Sequence, residues 1–149
     1  MAISTNDPAV FWAEYEREIG EKVIAHALGR YLTGWDEFPV PLWGLLIATD
    51  AGFRFHHFPH EGWIQAMSRL AGGGGDSPVE KTLFLPASRI RAAEFRAEKS
   101  WLRNLVFARP PTLVLRYLRE DGGEGRFIAE SDKSAASVAV ALAALLPTT

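Results

Sequence analysis

Apolar side chains in the first thirty residues recur at steps of three and four. Phe11, Trp12, Tyr15, Ile19, Val23, Ala27 and Leu28 form this stripe, and Glu14, Glu16, Arg17, Glu18, Glu21 and Lys22 fall mostly between them. That spacing belongs to one face of a helix. It predicts an N-terminal helical segment within residues 1–30, running from about Pro8 to Leu28. Asp7 is placed to cap it, Pro8 suits the first turn and Gly29 offers a stop. Gly20 lies in its middle, where glycine costs about 1 kcal/mol relative to alanine.

After a loop containing Gly34, Pro39 and Pro41, the pattern turns to short apolar and alternating runs. Residues 42–49 and 53–58 read as a hairpin around Asp50-Ala51-Gly52. Residues 61–70 fit one short helix with Trp63, Ile64, Met67 and Leu70 on one side, and Gly72 to Gly75 then break regular structure. Further strands are predicted over 81–85, 88–96, 101–108, 112–119 and 125–130. The clearest alternation sets Leu113, Leu115 and Tyr117 against Thr112, Arg116 and Glu120. A last helix begins at Ser131 or Asp132 and reaches about Leu146, with Pro147 ending it. Its stripe is Ala135, Val138, Ala139, Leu142, Leu145 and Leu146.

Seven short strands followed by one helix is the element order of pleckstrin-homology-like (PH-like) domains. The residues 44–55, Gly-Leu-Leu-Ile-Ala-Thr-Asp-Ala-Gly-Phe-Arg-Phe, resemble the first hairpin of GRAM-like and bacterial PH-like domains. Gly44, Thr49, Phe53 and Phe55 fill the places that bracket the turn there. Residues 84–90, Phe-Leu-Pro-Ala-Ser-Arg-Ile, resemble the entry to a middle strand of the same domains. The resemblance spans about residues 42–146. It implies an α+β fold: a barrel of about seven antiparallel strands over 42–130, capped by a helix over 131–146, in a single domain 1–149 with an added N-terminal helix. Phosphoinositide-binding members carry Lys and Arg in and beside the first hairpin loop. Here that loop holds Asp50, with only Arg54 nearby, so tight inositol-phosphate binding is not expected.

Composition narrows the chemistry. The 149 residues hold 16 basic and 18 acidic side chains, a formal charge of −2, which argues against a general affinity for nucleic acid. There is no cysteine, so disulfides, thiolate metal sites and a cysteine nucleophile are excluded. The first residues lack the pattern of a signal peptide and no apolar run approaches the roughly 20 residues of a membrane span, so a cytoplasmic protein is expected.

Four features invite a chemical reading. His56, His57, His60 and Glu61 crowd into six residues, and His56, His60 and Glu61 are candidate metal ligands. Neighbouring strand residues face opposite sides, however, and Pro59 interrupts any helical His56–His60 pairing. The run Gly72–Gly75 is followed by Asp76-Ser77-Pro78 rather than the lysine and hydroxyl residue of a phosphate loop. No Gly-x-Ser-x-Gly elbow occurs. Arg89, Arg91, Arg96 and Arg103 concentrate positive charge, with Glu94 and Glu98 among them. Together with Trp35 and Trp63 these arginines make the candidate interaction surface. The expectation is a non-catalytic protein-interaction or scaffolding module without cofactor, whose partner is another protein or a second copy. The alternatives are a peripheral lipid module and a small metal-dependent enzyme using the His56–Glu61 cluster.

Overall fold

The computed structural model describes residues 8–57, 82–97 and 110–147. Helix α1 spans Pro8–Ile19, not the predicted 8–28, and Gly20 ends it. Gly20 takes φ +73°, in the left-handed region that favours glycine, while its amide still donates to the Glu16 carbonyl at 2.9 Å. A carboxylate oxygen of Glu16 then accepts the Val23 amide at 2.7 Å, and the chain leaves as strand β1, Val23–Thr33.

The apparent continuation of the helix has a simple origin. Ile19, Val23 and Ala27 are four residues apart, and a step of four keeps one face on a strand as well as on a helix. In β1, Ala27, Gly29 and Tyr31 are buried while Ile24, His26 and Leu28 are exposed. Gly29, predicted as a helix stop, sits inside this strand. A Cβ there would lie 2.6 Å from the Leu46 side chain and 2.9 Å from the Glu130 carbonyl oxygen, so the position needs the bare backbone.

The remaining strands are β2 (Leu42–Thr49), β3 (Gly52–His57), β4 (Thr82–Pro86), β5 (Ile90–Arg96), β6 (Thr112–Leu118) and β7 (Glu124–Glu130). One 3-10 turn, Ala87–Arg89, occupies the start of the strand predicted over 88–96. Seven strands are described, the same number as predicted, but the set differs, because β1 falls where the helix over 8–28 is predicted. The strand predicted at 101–108, the helix at 61–70 and the glycine run lie outside the described residues. All pairings are antiparallel, in the order β4-β3-β2-β1-β7-β6-β5. Two meanders are therefore joined through β1. Its residues 23–31 pair with β2, and Arg30–Thr33 pair with β7.

Helix α2, Ala135–Leu145, packs against β1, β2, β3, β5 and β6. Between helix and strands lies the main core, where Tyr31, Phe53, Phe55, Phe127, Leu115 and Leu142 are all almost completely buried. Ser131 does not cap α2: its hydroxyl donates to the Leu28 carbonyl at 2.6 Å. The Asp132 carboxylate organises the first turn instead, accepting the Ser134 amide at 2.8 Å and the Ser134 hydroxyl.

Helix α1 lies on the opposite face of the sheet. Phe11 and Tyr15 form a second buried cluster with Leu45 and Ile47 of β2. Strand β2 is thus covered on both sides, which is why its sequence is an almost unbroken apolar run. Among the described residues, no helix is long and apolar enough to cross a membrane.

Candidate functional site

The structure separates the residues singled out from sequence. His56 is buried beneath α1, its ring 6.2 Å from that of Tyr15, whereas the Nδ1 of His57 lies 2.8 Å from the Trp43 carbonyl oxygen. His60 and Glu61 lie outside the described residues. Among the described residues, no three His, Cys, Asp or Glu side chains gather where they could hold a metal ion.

The hairpin loop at Asp50 is tied back to the start of β1. The Asp50 carboxylate accepts the Lys22 amide at 3.2 Å, and its own amide donates to the Lys22 carbonyl at 3.0 Å. Arg54 is committed as well. Its Nε donates to Glu21 at 3.0 Å, its Nη2 forms a second, closer contact with the same carboxylate, and its guanidinium lies 4.4 Å from the Phe84 ring centre. Glu21 also accepts the Thr49 hydroxyl at 2.6 Å. Hydrogen bonding from Arg54 holds the Glu21 carboxyl below its usual range. Burial pushes the neighbouring Tyr15 hydroxyl up to about 12. These groups fasten α1 and β1 to the β2–β3 hairpin.

Of the arginines predicted to share one surface, Arg91 and Arg96 lie on β5 and Arg89 in the 3-10 turn before it. Arg96 donates to Glu94 through Nε at 3.1 Å and Nη2 at 2.8 Å, and this contact lowers the Glu94 carboxyl. Arg89 lies in the 3-10 turn that precedes the other end of β5. Its Nε donates to the Leu118 carbonyl at 2.9 Å. Arg91 is exposed on the same strand, while Arg103 and Trp63 lie outside the described residues.

Trp35 and Arg89 do come together. They line an open cleft of about 250 Å³ between the β1–β2 loop and the β6–β7 turn, with Asp36, Glu37, Tyr117, Arg119, Glu120 and Asp121. A second hollow of about 390 Å³ adjoins it and shares Trp35, Asp36 and Arg119. Two tyrosines hold the loop in place. The Tyr31 hydroxyl accepts the Trp35 amide at 2.7 Å and donates to the Trp35 carbonyl at 3.0 Å. The Tyr117 hydroxyl donates to the Gly34 carbonyl at 2.5 Å. Burial raises both phenols above their ordinary range.

The Trp35 indole packs against Tyr117, with ring centres 5.6 Å apart, and its buried Nε1–H has no hydrogen-bond partner among the described residues. Arg119 donates to Asp36 at 2.8 Å and stands 3.8 Å from Asp121. Glu37 and Glu120 have neither a hydrogen bond nor an ion pair among the described residues. Sequence reasoning picked out Trp35 and Arg89 but not these carboxylates. The pairs Asp36-Glu37 and Glu120-Asp121 look like ordinary polar turns until the β1–β7–β6 order brings the segments after β1 and β6 to one cleft. Comparison of the chain with protein-family models, curated proteins and solved structures finds no match.

Proposed function

We propose that this chain is a PH-like domain acting as a non-catalytic protein-interaction module. Support for the fold comes from two antiparallel meanders joined through a shared β1, with the final helix packed over the core they enclose. The functional reading rests on one observation. The loop after β1 is held by Tyr31 and Tyr117 beside an open cleft of mixed charge that the β6–β7 turn also lines, while the interior is filled by aromatic and aliphatic side chains. A preformed cleft on a rigid frame lowers the ordering cost of binding. The Arg54 guanidinium is occupied by Glu21 and the Asp50 loop carries a carboxylate, which weighs against a phosphoinositide reading of this hairpin.

Affinity capture with the intact chain, quantified by mass spectrometry against an unfolded Phe127→Asp variant, tests this reading. A discrete soluble partner recovered only by the folded chain is expected. Co-sedimentation with anionic phosphoinositide vesicles at physiological salt, without such a partner, would replace the proposal with a lipid-binding one. Light scattering of the purified chain identifies the case in which the partner is a second copy.

A further inference from the structure

We infer that the cleft beside Trp35 receives a basic segment of a partner polypeptide, with a Lys or Arg side chain laid against its aromatic wall. This inference rests on the interaction-module reading and specifies the partner's chemistry. Four carboxylates and two guanidiniums line the cleft. Arg119 is already matched by Asp36 and Asp121, leaving Glu37 and Glu120 unpaired among the described residues. A surplus of unpaired carboxylate disfavours a phosphate or nucleic-acid ligand and favours a cation.

The cation is organic rather than metallic, because among the described residues the carboxylates do not converge into a metal-binding group. Trp35, half-buried and backed by the buried Tyr117 ring, provides the complementary feature. Flat π-faces beside carboxylates suit a guanidinium or an ammonium carried on an aliphatic stem, which gains both apolar contact and charge. Arg89 supplies the remaining recognition element. Its Nε is engaged by the Leu118 carbonyl, and its guanidinium has no acidic partner among the described residues. The terminal N–H groups can therefore donate to main-chain carbonyls of a bound segment. The Tyr31 and Tyr117 hydrogen bonds hold the loop before any ligand arrives.

The test uses the full chain and a fluorescein-labelled Ala-Lys-Ala-Arg-Ala peptide, followed by anisotropy, with Ala-Glu-Ala-Glu-Ala as counterpart. The basic peptide is expected to bind saturably and to weaken as salt rises, whereas the acidic peptide does not bind. The double variant Glu37→Gln and Glu120→Gln should lose about tenfold or more in affinity with unchanged thermal unfolding, because both side chains are exposed. Glu18→Gln on α1, distant from the cleft, should leave affinity unchanged. Absence of saturable binding, equal binding of the acidic peptide, or full affinity in the double variant would overturn the inference. A captured partner that binds the double variant as well as the original chain also overturns it, while leaving the interaction-module reading standing.

Discussion

Two acid–arginine pairs in this molecule have the same chemistry and different consequences. Beneath α1, Glu21 and Arg54 form a two-point contact with side chains 12% and 22% exposed. At the cleft, Asp36 and Arg119 meet at 2.8 Å with side chains 85% and 41% exposed. The first pair is joined by Thr49 and lies beside Tyr15, where water is scarce and each lost hydrogen bond is felt. The second is bathed in solvent, so its members remain exchangeable with the charges of an incoming ligand. Surroundings, rather than the identity of the pair, decide which one holds the fold and which one lines a binding face.

The largest effect is expected where the α1 interface is emptied. Phe11→Ala removes a ring only 1% exposed and should cost about 3 kcal/mol, with loss of α1 protection in hydrogen exchange. If the helix amides keep their protection, the α1 contact is not what orders this face. Arg54→Ala should follow at about 2 kcal/mol in urea unfolding, since it leaves the Glu21 carboxylate half-enclosed without its cation.

That difference has a pH signature. The folded-state pKa of Glu21 is depressed, so its contribution is complete above the ordinary value of 4.5 and disappears as pH falls through the folded value. The stability gap between the original chain and Arg54→Ala should therefore shrink in acid. A gap that stays constant would mean that Arg54 acts through its packing on Phe84 instead.

On the cleft side the effects diminish. Tyr31→Phe deprives the Trp35 amide and carbonyl of their shared partner and should cost about 1–2 kcal/mol, read from thermal unfolding. Arg119→Ala should cost less than about 0.5 kcal/mol, because both partners are largely hydrated. A loss there as large as that of Arg54→Ala would erase the distinction between the two regions.

Much of the β-structure was legible along the chain. The 42–49 and 53–58 hairpin and the strands near 112 and 125 follow from turn residues and alternation, because antiparallel neighbours in sequence pair through local contacts. The end of α1 was hidden because Ile19, Val23 and Ala27 satisfy both periodicities. Gly20 carried the deciding information, through a backbone angle rather than through hydrophobicity. The cleft was only half visible. Trp35 and Arg89 stood out by residue type, but Glu37 and Glu120 are separated by more than eighty positions and meet only through the β1–β7–β6 order.

The sequence alone determined an α+β chain of short strands with a near-neutral surface and without thiol chemistry, since composition and period depend only on local order. Tertiary structure decided that the segment after Gly20 is the strand joining both meanders, and that Arg54 is a tether rather than a free cation. It also brought Glu37 and Glu120, unpaired among the described residues, beside the Trp35 wall. Each of those outcomes depends on which distant strands become neighbours, and that is set by global packing.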